Sequence, residues 1–260
     1  MSKQPSFMSL KLFFIRNFSP RALKNKFLNV ALQGDTVECV CCNKKFITFL
    51  PAGIEKRANA KCPNCGSLER HRILWHFLTH QTKLFSDNIK LLHPAPEKLF
   101  YQKFKLHKNI EYTSIDLNPD KYDYGSTTIK MDLTNLTFKN DSFDVIICNH
   151  VLEHIPDDAK AMSEMYRVLK PGGWALLNVP VDNSRTTTFE DIHINDPKQQ
   201  LELFGQPDHV RIYGRDYKDR LEKAGFVVTL MDYTKQFSHN EKFRFGMKDE
   251  REIYYCTKSQ

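Results

Sequence analysis

From residue 89 onward, apolar positions fall into short blocks that switch between two periods. Phe143–Cys148 is an apolar run rich in Val and Ile and bounded by polar residues, which predicts a buried strand. Ala161, Met162, Met165, Val168 and Leu169 recur at three- and four-residue steps and predict a helix. Pro156, Asp157 and Asp158 open that helix, with acids in the first turn where they suit its dipole. Pro171-Gly172-Gly173 predicts its stop and Trp174–Val179 the next strand. Further strands are predicted at Lys90–His93, Glu111–Ile115, Ile129–Met131, Phe226–Met231 and Glu252–Cys256, with helices at Glu97–Leu106 and Gly214–Ala224. Alternation of this kind predicts an α/β sheet, whose ligands bind just beyond the carboxyl ends of the strands. Upstream, Leu68, Ile73, Leu74, Phe77 and Leu78 form one side of a helix over Ser67–Gln81, with Ser67 as its cap.

Composition fits a globular chain: 41% hydrophobic and 27% charged residues over 260 positions, enough for one catalytic domain and a small module. No apolar run approaches the ~20 residues that span a bilayer, and Leu12–Ile15 is too short for a signal-peptide core. The expectation is a cytoplasmic protein. The net charge of +7 is concentrated at one end: residues 1–34 hold six Lys and Arg and no acid, leaving +1 for the rest. A basic catalytic face for nucleic acid is therefore not indicated. The arm at 1–34 reads either as a peripheral contact to an anionic membrane or nucleic acid, or as a helix packed on the protein's own body.

Seven cysteines in a reducing compartment point to metal or free thiols. Cys39, Cys42, Cys62 and Cys65 form two C-x2-C pairs about twenty residues apart, the spacing of a structural zinc ribbon. Each pair on a tight turn aims two thiolates at one point, and two turns complete a tetrahedron. Cys41 is a spare, and Cys148 and Cys256 fall in strands as core residues. Four protein ligands leave no open position, so this metal is expected to be structural.

The blocks FDVIICNHVLEHIPD and EMYRVLKPGGWALLNVP, within residues 143–180, resemble the second half of a class I S-adenosylmethionine-dependent methyltransferase domain, of the type 11-like kind. The resemblance covers roughly residues 88–260. It implies a Rossmann-like, mostly parallel seven-stranded sheet with an antiparallel last strand, here behind a zinc ribbon. The expected domains are a basic arm at 1–34, a ribbon with a bridging helix at 35–82, and a methyltransferase domain at 83–260 with an insertion at 182–213.

The turn after the first strand departs from the family. It reads LLHPAPEK and has no glycine, although backbone there must approach the cofactor and adopt positive φ. A proline-stiffened turn of similar shape around Ala95 is expected, with His93 or Glu97 making polar contacts to the cofactor's methionine end. Asp116, at the end of the second strand and beside Leu117, is placed to accept both ribose hydroxyls; the alternative is an Asp opening an Asp-x-Asn-Pro turn. The resemblance assigns Asp132 to the adenine amino group, Leu133 to the ring face, and Asn149 and His150 to the methionine end.

Candidate acid–base residues are His150 and His154 in the loop after the fourth strand, and Asp208 with His209 in the insertion, where a carboxylate would raise the basicity of a neighbouring His. Asn149-His150-Val151-Leu152 stands where base-nitrogen methyltransferases carry Asn-Pro-Pro-Tyr. The implied acceptor is thus a small molecule or a sugar- or lipid-linked intermediate. Two other readings remain: an inactive methyltransferase-like zinc-ribbon adaptor for protein or RNA, and an RNA-modifying methyltransferase.

Overall fold

The computed structural model describes residues 27–53, 56–121, 127–248 and 252–260. The basic arm therefore lies outside the described residues up to position 26, and residues 27–31 are helical. The chain forms two compact units. One comprises the chain to His80 together with Thr234–Arg251; the other comprises Gln81–Tyr233 and Glu252–Gln260. This departs from the expected boundary, because the late segment 234–251 groups with the N-terminal unit.

The N-terminal unit holds two small antiparallel pairs, β1 (Gln33–Cys39) with β2 (Lys44–Phe46) and β3 (Leu50–Ala52) with β4 (Arg57–Lys61). Helix α1 (Glu69–Gln81) follows. Arg72 on α1 is fully buried, and carbonyls answer its guanidinium: Ser67 at 2.8 Å, Ala60 at 2.9 Å, Phe245 at 2.7 Å, and Gly246. Phe245 closes the late helix His239–Phe245, which Ser238 and Glu241 cap reciprocally. Arg244 of that helix pairs with Glu38 at 3.0 Å. Main-chain carbonyls carry no sequence signature, so the union of Arg72 with residues 245–246 was not legible beforehand.

The second unit is built on one seven-stranded sheet. Its strands are β5 (Ile89–Pro94), β6 (Ile110–Asp116), β7 (Ile129–Lys130), β8 (Phe143–Asn149), β9 (Leu169–Asn178), β12 (Val227–Asp232) and β13 (Glu252–Thr257). The order across the sheet is β12-β13-β9-β8-β5-β6-β7. All neighbours run parallel except β13, which is antiparallel to both β9 and β12. This is the Rossmann-like, mostly parallel seven-stranded sheet that the resemblance implies. The order reverses between β5 and β8, which sets the ligand crevice at their carboxyl ends.

Apolar periodicity accounts for the core. Ala161, Met162, Met165 and Val168 of α3 (Asp158–Val168) and Tyr217 and Leu221 of α5 (Tyr217–Lys223) pack with Leu92, Ile146, Cys148, Leu177 and Tyr254 of the sheet. Phe104 of α2 (Lys98–Phe104) lies against the rings of His93 and Tyr112. Asp157 caps α3 by accepting from the Lys160 amide at 2.9 Å. One boundary is corrected: Pro171-Gly172-Gly173 lies inside β9, which starts at Leu169. The strand register shifts there, and a Cβ on Gly173 would sit 2.8 Å from the Asp144 carbonyl. Among the described residues, no helix is long and apolar enough to cross a membrane.

Candidate functional site

The site is built from strand tips. Ala95, just past β5, has φ +43° and donates its amide to the Ile115 carbonyl at 2.8 Å. His150, just past β8, has φ +55° and donates to the Asn178 carbonyl at 2.8 Å. A non-glycine residue in the left-handed region costs about 1–2 kcal/mol, and such strain gathers at functional sites. The tips of the two adjoining strands at the reversal point both carry it. The turn Pro94-Ala95-Pro96 thus makes with alanine the bend usually left to glycine.

Asn149 is 5% exposed; its Oδ1 accepts from Asn178 Nδ2 at 2.9 Å, and Asn178 Oδ1 in turn accepts from the Tyr254 amide at 3.0 Å. That relay fixes the Asn149 amide and leaves its Nδ2 buried with no partner. Asn178 was missed in the sequence, although a polar residue ending an apolar strand was its signal. Asp116 ends β6 with Oδ1 accepting from the Asn118 amide at 2.6 Å, the Asx turn read as the alternative. Among the described residues its Oδ2 carries no hydrogen bond, so one oxygen holds the turn and one remains. Leu117 beside it is exposed. Asp132 folds its own turn by accepting from the Thr134 amide and hydroxyl, each at 2.8 Å, and Leu133 is buried in the core. Glu97 is the residue before α2, and its side chain does not cap that helix.

His93 is placed differently from the expectation. It is 1% exposed, with Nδ1 2.9 Å from the Tyr112 hydroxyl and its ring edge-on to Phe104. The pleat sends alternate side chains to opposite faces, and His93 falls on the α2 side. Burial pushes its pKa down to about 4.

The loop after β8 and the end of the insertion are locked together. The insertion contains β10 (Phe189–Glu190) paired with β11 (Arg211–Ile212), and α4 (Pro197–Phe204) between them. Arg211 is 1% exposed and donates to the carbonyls of Leu152 at 2.8 Å, Pro156 at 2.8 Å, and Ile155. Its Nε meets Glu190 at 2.9 Å. Burial works against the Glu190 charge, but hydrogen bonds from Arg220 and Arg211 pull its carboxyl below the ordinary range. The Val210 amide donates to the Glu153 carbonyl at 3.0 Å.

This clamp brings His154 and His209 into edge-to-face contact, 4.6 Å between ring centres. Asp208 faces His154, not His209: its carboxylate is 3.4 Å and its carbonyl 3.0 Å from His154 Nδ1. The expected Asp208–His209 couple is thus replaced by Asp208–His154. Burial holds His209 below the ordinary imidazole range. Glu153 is 1% exposed, with Oε1 3.5 Å from His150 Nδ1.

In the N-terminal unit, Cys39, Cys42, Cys62 and Cys65 converge, with sulfurs 3.6 Å apart for Cys39–Cys65 and 3.8 Å for Cys42–Cys62. A tetrahedron with metal–sulfur bonds of about 2.3 Å needs edges of about 3.8 Å, so the thiols fit a zinc ion. Each pair sits on a turn, closed by Asn43 (φ +54°) and Gly66 (φ +72°). Ser67, expected as a helix cap, instead sets its hydroxyl 3.2 Å from Cys39 Sγ. Cys41 is buried with its sulfur 3.6 Å from the His71 carbonyl, outside the cluster.

Residues 99–177 match the family model described as a methyltransferase domain. An uncharacterized methyltransferase of Mycobacterium sp. (strain KMS) is 30% identical over 88 residues, 32% of this chain and 35% of that one. A ubiquinone biosynthesis O-methyltransferase of Burkholderia vietnamiensis is 28% identical over 120 residues, 45% of this chain and 49% of that one. The chain thus matches between a third and a half of the length of these curated relatives. Among solved structures, the 4+2 cyclase SpnF superposes with a TM-score of 0.50 at 14% identity, covering 98% of this chain and 97% of its own. That likeness concerns the fold alone; the cyclase shows that the reaction must be argued from the site.

Proposed function

We infer that this protein transfers a methyl group from S-adenosylmethionine to a small-molecule or sugar- or lipid-linked acceptor. The observation that carries the reading is the pair of left-handed residues, Ala95 and His150, at the tips of the strands where the sheet order reverses. The residues present fit the cofactor. The bend at Ala95 lets main chain come close to a ligand, as a glycine-rich turn does elsewhere. The oxygen of Asp116 left over from its turn is available to ribose hydroxyls, and the exposed Leu117 offers apolar surface beside it. Asp132 is assigned to the adenine amino group, and Leu133 after it, packed in the core, to the ring face. Asn149, with a buried unpartnered Nδ2, has a donor for the methionine end, to which its neighbour His150 and, from the turn after β5, Glu97 are also assigned. When bound, S-adenosylmethionine supplies a methyl already activated on a sulfonium. The chain's task is then to align the acceptor and exclude water, worth several kcal/mol of barrier. His150 and His154, in the clamped loop after β8, are the groups proposed to take a proton from a hydroxyl acceptor, with Asp208 orienting His154. The four-cysteine centre is assigned to a structural zinc ion.

The name of one curated relative supports the same acceptor class: the Burkholderia protein is a ubiquinone biosynthesis O-methyltransferase. S-adenosylhomocysteine should raise the melting temperature of the full chain, by the mass-action stabilisation any native-state ligand gives. No rise at millimolar ligand, with the protein folded, would favour a zinc-ribbon adaptor instead.

A further inference from the structure

An ionisable side chain is costly to bury unless something answers its charge and lone pairs. Two such atoms lie close together beyond β8. Glu153 is 1% exposed and its Oε2 has no hydrogen-bond partner; His209 is 5% exposed and its Nε2 has none either. Among the described residues no Lys or Arg ion-pairs with Glu153, whose partner at that range is His150. The nearby guanidinium of Arg211 is engaged by Glu190 and by three carbonyls of the loop. Glu153, His154 and His209 each present one donor atom, and the three atoms lie within 4.8 Å of one another.

We propose that Glu153, His154 and His209 bind a divalent transition-metal cation, at a site separate from the four cysteines. Bonds of about 2.0–2.2 Å from nitrogen or oxygen set tetrahedral donors about 3.3–3.6 Å apart, so a trio within 4.8 Å closes on an ion by rotamer shifts of about 1 Å. The second shell is in place. His154 Nδ1 donates to the Asp208 carbonyl at 3.0 Å, which leaves Nε2 as its lone-pair nitrogen. Ligand imidazoles are oriented in this way, by a backbone partner on the other nitrogen. The two segments that supply the donors are joined by the Val210–Glu153 main-chain bond and the buried Arg211. The backbone segments that carry the donors are therefore joined before any ion arrives.

Two imidazoles and one carboxylate suit Zn²⁺, Mn²⁺ or Fe²⁺. Three protein ligands leave positions open for water or for an oxygen-bearing molecule, unlike the closed four-cysteine centre. The inference goes beyond methyl transfer and stands without it; with an ion held, His154 Nε2 is a ligand and the base role falls to His150.

The test uses the full chain with no S-adenosylmethionine present. Its zinc content is measured, and Mn²⁺ is then titrated while free ion is read by electron paramagnetic resonance. Mn²⁺ is a hard ion with little preference for thiolates, so it leaves the cysteines alone. The expected result is one Mn²⁺ per chain, bound at least tenfold more weakly by E153Q and H209Q, with zinc content unchanged. Should a variant not fold, Mn²⁺ should selectively broaden the ring resonances of His154 and His209 in the unaltered protein. Absence of Mn²⁺ binding at millimolar ion, undiminished binding in both variants, or broadening at other histidines only would each overturn the assignment.

Discussion

Lowering the pH from 8 to 4 should destabilise the sheet-bearing unit through a single side chain, His93. Its imidazole is fully enclosed, and burial holds its pKa near 4 against the ordinary 6.5. Folded, the ring stays neutral until about pH 4; unfolded, it takes up a proton near 6.5. The unfolded state therefore binds more protons throughout that window, and stability falls as pH falls through it. Above pH 7 the contribution vanishes. The 2.5-unit gap corresponds to a loss of about 1 kcal/mol at pH 6, about 2 at pH 5 and about 3 at pH 4. Urea unfolding followed by circular dichroism at each pH, for the unaltered chain and for His93→Asn, isolates the effect. Asparagine retains a partner for the Tyr112 hydroxyl and opens a cavity, which is a cost independent of pH. Other groups titrate in both proteins and cancel in the difference. The stability of the unaltered chain minus that of His93→Asn is expected to fall by about 3 kcal/mol from pH 7 to pH 4 and then level. A difference that stays flat across this range would refute the claim that burial keeps His93 neutral.

Removing the clamp with Arg211→Met leaves Glu190 with Arg220 alone and strands three loop carbonyls, and should cost about 3–5 kcal/mol in chemical denaturation; a loss under 1 would show that the loop holds itself. At Ala95, glycine should change stability by less than about 1 kcal/mol, because relief of left-handed strain offsets added chain entropy. Ala95→Val should melt clearly below Ala95→Gly, since a β-branched residue tolerates positive φ poorly; equal melting temperatures would remove the argument from strain. Asp116→Ala should weaken S-adenosylhomocysteine binding roughly ten- to a hundredfold by calorimetry, the loss of charge-assisted hydrogen bonds of about 1.5–3 kcal/mol. Unchanged affinity would take the ribose role away from Asp116. Elemental analysis should find one zinc ion at the cysteines, lost in Cys62→Ser; a full complement in that variant would place the metal elsewhere.

Much of the fold could be read from local signals. The Val- and Ile-rich run at 143–148 fixed β8, the three- and four-residue spacing from Ala161 fixed α3, and the two C-x2-C pairs located the sulfur cluster. The failures share a cause, which is partners distant in sequence or lacking side chains. His93 looked like a strand-tip ligand because its enclosure depends on Tyr112, in the neighbouring strand, and Phe104, on a helix. Pro171-Gly172-Gly173 looked like a terminator because its bulge exists only against Phe143–Val145 of β8. Asp208 was paired with its sequence neighbour, but Arg211 and Val210 turn it toward His154. Glu153 gained meaning only when the insertion delivered His209 beside it.

The fully enclosed guanidinium of Arg72 has a bearing on biosynthesis. Two of the carbonyls that answer it belong to Phe245 and Gly246, which are translated more than 170 positions later. A nascent chain that has emerged only through the cysteines would leave that cation half-answered in a closing interior, at a cost of several kcal/mol. The small N-terminal unit therefore waits for nearly the whole polypeptide before it can mature. Its excision as residues 27–82 should yield a fragment that swells, exchanges its amides quickly and depends on added peptide 234–251 to become compact.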